Sequence, residues 1–201
     1  CISLLGVDGR AVAPEPGRRC SLTLYYTHEG VGFSGLEVSI YRVAELQDTG
    51  MYARVAPYST YPVNIYGIKS QQEWKTLATT LSSYVVADSL PAYRTGTTSR
   101  SGTVVFANLQ TGLYLVRGVV TEKDGVRYTF QDFMVYLPTP TGGTYNYDVE
   151  ARPKYSSVAT ATSYRVVKLW QDSGNSENRP GSVMVRLLED GIPKRTVILN
   201  A

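Results

Sequence analysis

The chain has 201 residues, enough for one large domain or two modest ones. Its formal net charge of +3, from 20 Lys+Arg against 17 Asp+Glu, is too small to argue for a nucleic-acid partner, and no basic run is interleaved with aromatics. Sixteen tyrosines against four phenylalanines and two tryptophans, with ten prolines and 18 glycines, is the composition of an all-β protein with many turns.

The elements follow in chain order. Residues 1–20 read as an irregular arm carrying Gly9, Pro14, Pro16 and Gly17, bracketed by the only two cysteines, Cys1 and Cys20. A disulfide between them would anchor the arm, and an extracytoplasmic location would permit it; the alternative is two unpaired thiols. Ser21–Tyr26 reads as a strand with Leu22, Leu24 and Tyr26 on one face, and Leu36–Val43 as a second with Leu36, Val38 and Ile40 inward. The single histidine, His28, sits in a turn with no Cys/His cluster around it, so no metal site is expected. With no Gly-rich phosphate loop and no nucleophile elbow, no catalytic residue and no cofactor are expected either.

Residues 47–67 read as a Tyr- and Pro-rich excursion, with a short edge strand at Tyr61–Tyr66. The one convincing helix spans Ser70 to about Ala87. Ser70-Gln71-Gln72-Glu73 is a capping box, and Trp74, Leu77, Ala78, Leu81, Tyr84 and Val85 recur at helical spacing. Such a helix covers one side of a sheet. Thr103–Phe106, Leu113–Val120 and Tyr128–Leu137 read as strands, with the turn Lys123-Asp124-Gly125 between the last two. Tyr145–Ala151 closes the domain, with Tyr145, Tyr147, Val149 and Ala151 on one face. Tight turns at this spacing argue for a sandwich over residues 21–154.

Tyr155–Ser163, small and uncharged, reads as a linker, and residues 164–201 restart the strand pattern. In Tyr164-Arg165-Val166-Val167-Lys168-Leu169-Trp170, alternation places Lys168 on the face of Tyr164, Val166 and Trp170. A lysine between apolar neighbours is buried and then paired, neutral or consumed, or else it lies on an edge strand and snorkels to water. At 38 residues this piece is too short for a complete sandwich; the chain reads as part of a longer precursor whose closing strands lie beyond Ala201.

Two stretches resemble known families. Lys168-x-Trp170-x-Asp172, then Arg179-Pro180, Val183-x-Val185-x-Leu187 and Asp190-Gly191, resembles the start of a collagen-adhesin B-type (Cna B-type) domain. The resemblance implies that Lys168 is the nucleophile of an intramolecular isopeptide bond whose asparagine and acid partners are absent from this chain. Gly102-x-Val104-x-Phe106-x-x-Leu109 with Gly112-x-Tyr114-x-Val116 resembles a signature of Gram-positive pilin domains. The ending Tyr145 through Lys154 resembles the pilin motif W-x-x-x-V-x-V-Y-P-K. Val149, Pro153 and Lys154 match it; Tyr145, Ala151 and Arg152 stand where the motif has Trp, Val and Tyr. The motif implies that Lys154 accepts the neighbouring subunit from a class C sortase; the alternative is a solvated lysine at a strand end. The first strand, Ser21–Tyr26, contains no lysine, so no isopeptide bond is expected in residues 21–154.

The resulting expectation is an all-β chain: an immunoglobulin-like (Cna B-type or pilin) β-sandwich with one inserted helix, followed by the start of a second sandwich. Its function would be that of a stalk or pilus shaft subunit on a Gram-positive cell wall, extracellular and not an enzyme. Its partners would be a sortase and a neighbouring pilin or peptidoglycan. Two rivals stand beside it. One is a dedicated adhesin that binds host glycan or matrix protein through Tyr52 to Tyr66; the other is an accessory module of a secreted carbohydrate-active enzyme. An exposed coplanar aromatic row would favour the second of these, and a fully packed set of tyrosines would count against it. No hydrophobic run approaches the ~20 residues of a membrane span.

Overall fold

The computed structural model describes residues 13–160 and 179–200, together with 166, 167, 169 and 177. The chain divides into two compact units, Cys1–Ala161 and Thr162–Ala201. In the first unit the strands are β1 (Cys20–Tyr25), β2 (Thr27–His28), β3 (Val31–Gly32), β4 (Glu37–Leu46), β5 (Tyr52–Arg54), β6 (Arg94–Thr97), β7 (Thr103–Leu109) and β8 (Gly112–Val116). They continue as β9 (Val120–Lys123), β10 (Val126–Phe130), β11 (Phe133–Leu137), β12 (Thr139–Thr141), β13 (Thr144–Asn146), β14 (Asp148–Ala151) and β15 (Tyr155–Ala159). One helix, α1 (Gln71–Ala87), and a 3₁₀ turn at Tyr58–Thr60 complete the unit.

Three sheets share the work. β1 lies between β14, which runs parallel to it, and β7, which runs antiparallel. β10 lies between β9 and β15. The largest sheet runs β11-β8-β4-β5, with β6 also paired to β4. Alternation decides what each face meets. On β1, Leu22 and Leu24 point into a core shared with Val38 and Ile40 of β4, Phe106 of β7, Phe130 of β10 and Val149 of β14. The opposite face of the large sheet, with Tyr41, Val43, Leu113 and Leu115, packs beneath Leu77, Ala78, Leu81 and Val85 of α1. β8 is therefore covered on both sides, and all five of its residues are buried. Each fully buried apolar side chain of this kind contributes about 1.5–3 kcal/mol.

The helix begins as its capping box dictates. The Ser70 hydroxyl accepts from the Glu73 amide at 3.1 Å, and the Glu73 carboxylate accepts from the Ser70 amide at 2.8 Å. Gly112 is needed because a Cβ there would sit 2.3 Å from the Ala44 carbonyl oxygen of β4. Gly102, at φ +76, would meet the Tyr26 carbonyl oxygen in the same way.

Several boundaries differ from the sequence reading. Tyr61–Tyr66 is not a strand. The excursion instead contributes β5 and the 3₁₀ turn, and the Arg54 guanidinium donates to the carbonyls of Tyr58 (3.2 Å) and Tyr61 (2.6 Å). Tyr128–Leu137 is two strands, because the chain changes sheets at Gln131–Asp132: β10 pairs with β9 and β15, β11 with β8. The Tyr155–Ser163 linker is corrected over its first half. Tyr155–Ala159 is an edge strand in register with Val126–Phe130, anchored where Tyr155 packs against Phe130 at 5.2 Å. Backbone pairing and that one aromatic outweigh the linker-like composition.

In the second unit, β16 (Ser182–Glu189) and β17 (Ile192–Asn200) form an antiparallel hairpin. Asp190 and Gly191 take φ of 50° and 79° at its turn. Met184, Leu188, Ile192 and Ile198 of the hairpin are exposed.

Candidate functional site

β14 is held to β1 by four residue pairs, from Ser21↔Asp148 to Leu24↔Ala151. Its core-facing side chains are those the alternation predicts: Tyr147 and Val149 are buried, and Tyr145 and Ala151 pack against the same cluster. The chain then leaves this sheet through Arg152-Pro153-Lys154 and joins the sheet of β9 and β10 as β15. Pro153 is buried. Arg152 lays its guanidinium over the Tyr25 ring at 4.7 Å, a cation–π contact that ties the segment back to β1. The Lys154 carbonyl accepts from the Gln131 amide at 2.8 Å. The backbone of the lysine is thereby fixed on both sides while its side chain is exposed.

The Lys154 amine reaches toward α1, where its one hydrogen-bond partner is the Gln71 side-chain oxygen at 3.4 Å. No carboxylate pairs with it among the described residues. The amine borders a groove of 510 Å³ between the first turns of α1 and the chain that joins β10 to β11. Gln71, Trp74 and Lys75 line one wall, Asp132 and Met134 the other, and Arg152 closes an end. Trp74 stands edge-on to Tyr136 at 5.5 Å, which fixes its ring. Asp132 is equally fixed: its carboxylate accepts from the Gly118 amide at 2.7 Å and the Ser82 hydroxyl at 3.1 Å. An exposed, uncompensated amine on a rigid turn beside a half-apolar groove can act as an acyl acceptor once a base removes its proton.

Of the residues singled out in sequence, Lys154 borders a groove. Lys168 and Cys1 lie outside the described residues. Cys20 is described, as a free thiol 3% exposed. The reason is its phase on β1: it shares the inward face with Leu22 and Leu24 and packs as a small apolar group. Burial first, then the Asp148 charge, pushes the thiol up to about 11, against a smaller opposing effect of Arg18. Gln71 and Asp132 were not legible as site residues. Gln71 reads as an ordinary first-turn residue, and Asp132 as a surface acid within an unbroken strand.

Of the excursion's tyrosines, Tyr58 is buried, Tyr52 and Tyr61 are half-buried, and Tyr66 is exposed. Tyr61 stacks on Tyr84 at 4.2 Å and donates to Asp88. Tyr52 packs on Tyr136 at 4.7 Å, and Tyr66 donates to the Tyr52 carbonyl. No exposed coplanar row results. Among the described residues, no helix is long and apolar enough to cross a membrane.

Comparison with known proteins adds to this. Residues 164–201 match the family described as the Cna protein B-type domain. The chain thus joins a helix-covered β-sandwich to a segment that matches that domain. Among solved structures it is similar to the fimbrial protein FimP from Actinomyces oris, at 22% identity over 72% of this chain and 31% of that one, with a TM-score of 0.42. It is similar to the full-length major pilin SpaD from Corynebacterium diphtheriae, at 26% identity over 73% of this chain and 32% of that one, TM-score 0.43. A mutant of the shaft pilin SpaA from Lactobacillus rhamnosus GG is 20% identical over 69% of this chain and 47% of that one, TM-score 0.39. The chain therefore spans less than half the length of these pilins. No curated protein matches it.

Proposed function

We propose that this chain belongs to a covalently assembled stalk or pilus shaft on a Gram-positive cell wall, with Lys154 as the amine that accepts a neighbouring subunit from a sortase. The observation that carries this reading is the state of Lys154: exposed, free of any carboxylate partner among the described residues, and presented beside a 510 Å³ groove by a segment pinned at Pro153 and at the Lys154 carbonyl. The reaction is acyl transfer. The amine attacks the acyl group carried on the sortase cysteine, an amide forms at Nζ, and the enzyme thiol leaves. The chain is a substrate of this chemistry and turns nothing over. Its surface location follows from the same reading, as does the role of Lys168 in the second unit, where it forms an isopeptide bond with an asparagine of the same domain.

Two experiments test these roles. Lys154→Ala on the parent cell abolishes the high-mass ladder of covalent polymers; an undiminished ladder makes Lys154 an ordinary surface lysine. For Lys168, the intact protein carrying the complete second domain is lighter than its sequence mass by ~17 Da, one ammonia, as amine attack on a carboxamide requires. The deficit vanishes in Lys168→Ala. A full sequence mass in the unsubstituted protein removes the bond.

A further inference from the structure

A second groove, of 440 Å³, opens on the first unit between β4, the 3₁₀ turn and the segment that follows α1. Its size falls within the range of about 300–1,000 Å³ usual for ligand pockets. Two tyrosines contribute to it from below, Tyr41 of β4 and Tyr58 of the 3₁₀ turn, and they are only 5% and 4% exposed. Their rings belong to the core under α1. Neither hydroxyl has a hydrogen-bond partner among the described residues, yet neither is sealed off. The enclosed side-chain polar atoms without a partner are Tyr26 Oη and Arg42 Nε. The Tyr41 and Tyr58 hydroxyls are not among these enclosed atoms, and both residues line the groove. A buried tyrosine hydroxyl ordinarily finds a partner, so two adjacent unpartnered ones mark a place built to hydrogen-bond something else. Burial, then Tyr41 and Tyr61, raises the Tyr58 phenol well above its ordinary range, so it remains a donor at any physiological pH.

The remaining lining says what that partner is. Val55, Pro57, Leu90 and Pro91 make apolar walls. Arg94 stands at the rim, exposed, with its guanidinium 5.2 Å from the Tyr93 ring and donating to the Tyr93 carbonyl at 3.4 Å. It has no carboxylate partner among the described residues. Arg42 also borders the groove but is engaged by the Thr111 carbonyl at 2.8 Å and by Glu45 at 3.9 Å. No Asp or Glu lines the groove, and with Arg42 paired to Glu45, Arg94 is its one cation without a carboxylate partner among the described residues. At 5% and 4% exposure the two buried tyrosines offer little ring face on which a sugar could stack. Paired hydroxyl donors between apolar walls suit main-chain carbonyls and aliphatic or prolyl side chains instead. We propose that this groove binds an extended segment of a partner protein, whose carbonyls accept from Tyr41 and Tyr58 and whose acidic side chain pairs with Arg94. The inference is independent of Lys154 and of its groove.

The test probes an array of randomised decapeptides with the fluorescently labelled full chain and measures the affinity of the selected peptides by anisotropy. Selected peptides carry an Asp or Glu beside prolyl or aliphatic residues, and their binding weakens with added salt. Arg94→Gln lowers affinity about ten-fold, the loss of one charge-assisted contact. The double variant Tyr41→Phe, Tyr58→Phe, which keeps both rings and hence the core, lowers it by a similar factor. Selection of no acidic peptides, equal binding by these variants, or saturable binding of acidic or neutral oligosaccharides in place of peptides overturns the proposal.

Discussion

At the scale of single residues, phase on a strand decides more than residue type. Cys20 illustrates this: on the inward face of β1 it is a core residue, and its chemistry follows from burial. A thiol pushed up to about 11 holds almost no thiolate at pH 8. The folded protein is therefore silent to thiol reagents at Cys20 and becomes reactive on denaturation. Reaction of Cys20 in the native protein at the rate of a free peptide thiol would contradict this placement. Lys154 was legible as a candidate only through the resemblance of Tyr145–Lys154 to the pilin motif, in which Val149, Pro153 and Lys154 match. What sequence could not supply was its surroundings, since Gln71 lies 83 positions earlier in the chain. Arg152, a departure from the pilin motif, has its own use in the cation–π contact with Tyr25.

At the scale of elements, α1 was the most legible part of the molecule. The capping box and the buried Leu77, Ala78, Leu81 and Val85 were all readable from spacing, because one helix carries both signals locally. Ser70→Ala removes the N-cap and costs about 1 kcal/mol, measurable by denaturant unfolding. Glu73 adds a pH dependence. Its carboxyl is held below its ordinary 4.5 by the Lys69 amide, then by the Ser70 amide and hydroxyl. A depressed pKa means that the stabilisation is fully present above the ordinary carboxylate range and is lost as pH falls through the lower folded value. Acid therefore weakens the start of α1 in the native protein, and Glu73→Gln flattens that dependence. An unchanged acid profile in Glu73→Gln would contradict the cap. β15 was the element least legible. Its residues are small and four of its five are exposed, so only a partner strand distant in sequence, β10, makes it a strand.

At the scale of the whole chain, the topology decides where force would travel. Lys154 directly precedes β15, so tension applied between its side chain and the C-terminal side passes through Tyr155–Ala159 alone before leaving the first unit. Residues 13–153 lie outside that path. β15 pairs antiparallel with β10, Ala159 opposite Val126, and is peeled pair by pair from that end. Pulling in this geometry detaches a strand that is already extended, so it adds almost no chain length and leaves the sandwich folded. Pulling from residue 13 instead loads β1 against its parallel neighbour β14 in shear and unfolds the unit in one larger, higher-force step. A large unfolding step in the Lys154 geometry would contradict this path. A domain outside the path has no need of an internal covalent lock, which fits the absence of a lysine from β1.

The fold class and the position of the helix could be read from periodicity, because burial writes the same pattern on every amphipathic element. The sheet switch at Gln131–Asp132, the β15 edge and the second groove could not. Each depends on contacts between segments far apart in sequence. The central claim, that Lys154 is the junction between subunits, is tested most directly by peptide mass mapping of the protein recovered from the cell wall. The account predicts a branched peptide in which the Lys154 amine carries the C-terminal residues of a second subunit. Recovery of Lys154 only as a free amine, with polymers joined at another lysine, would contradict it.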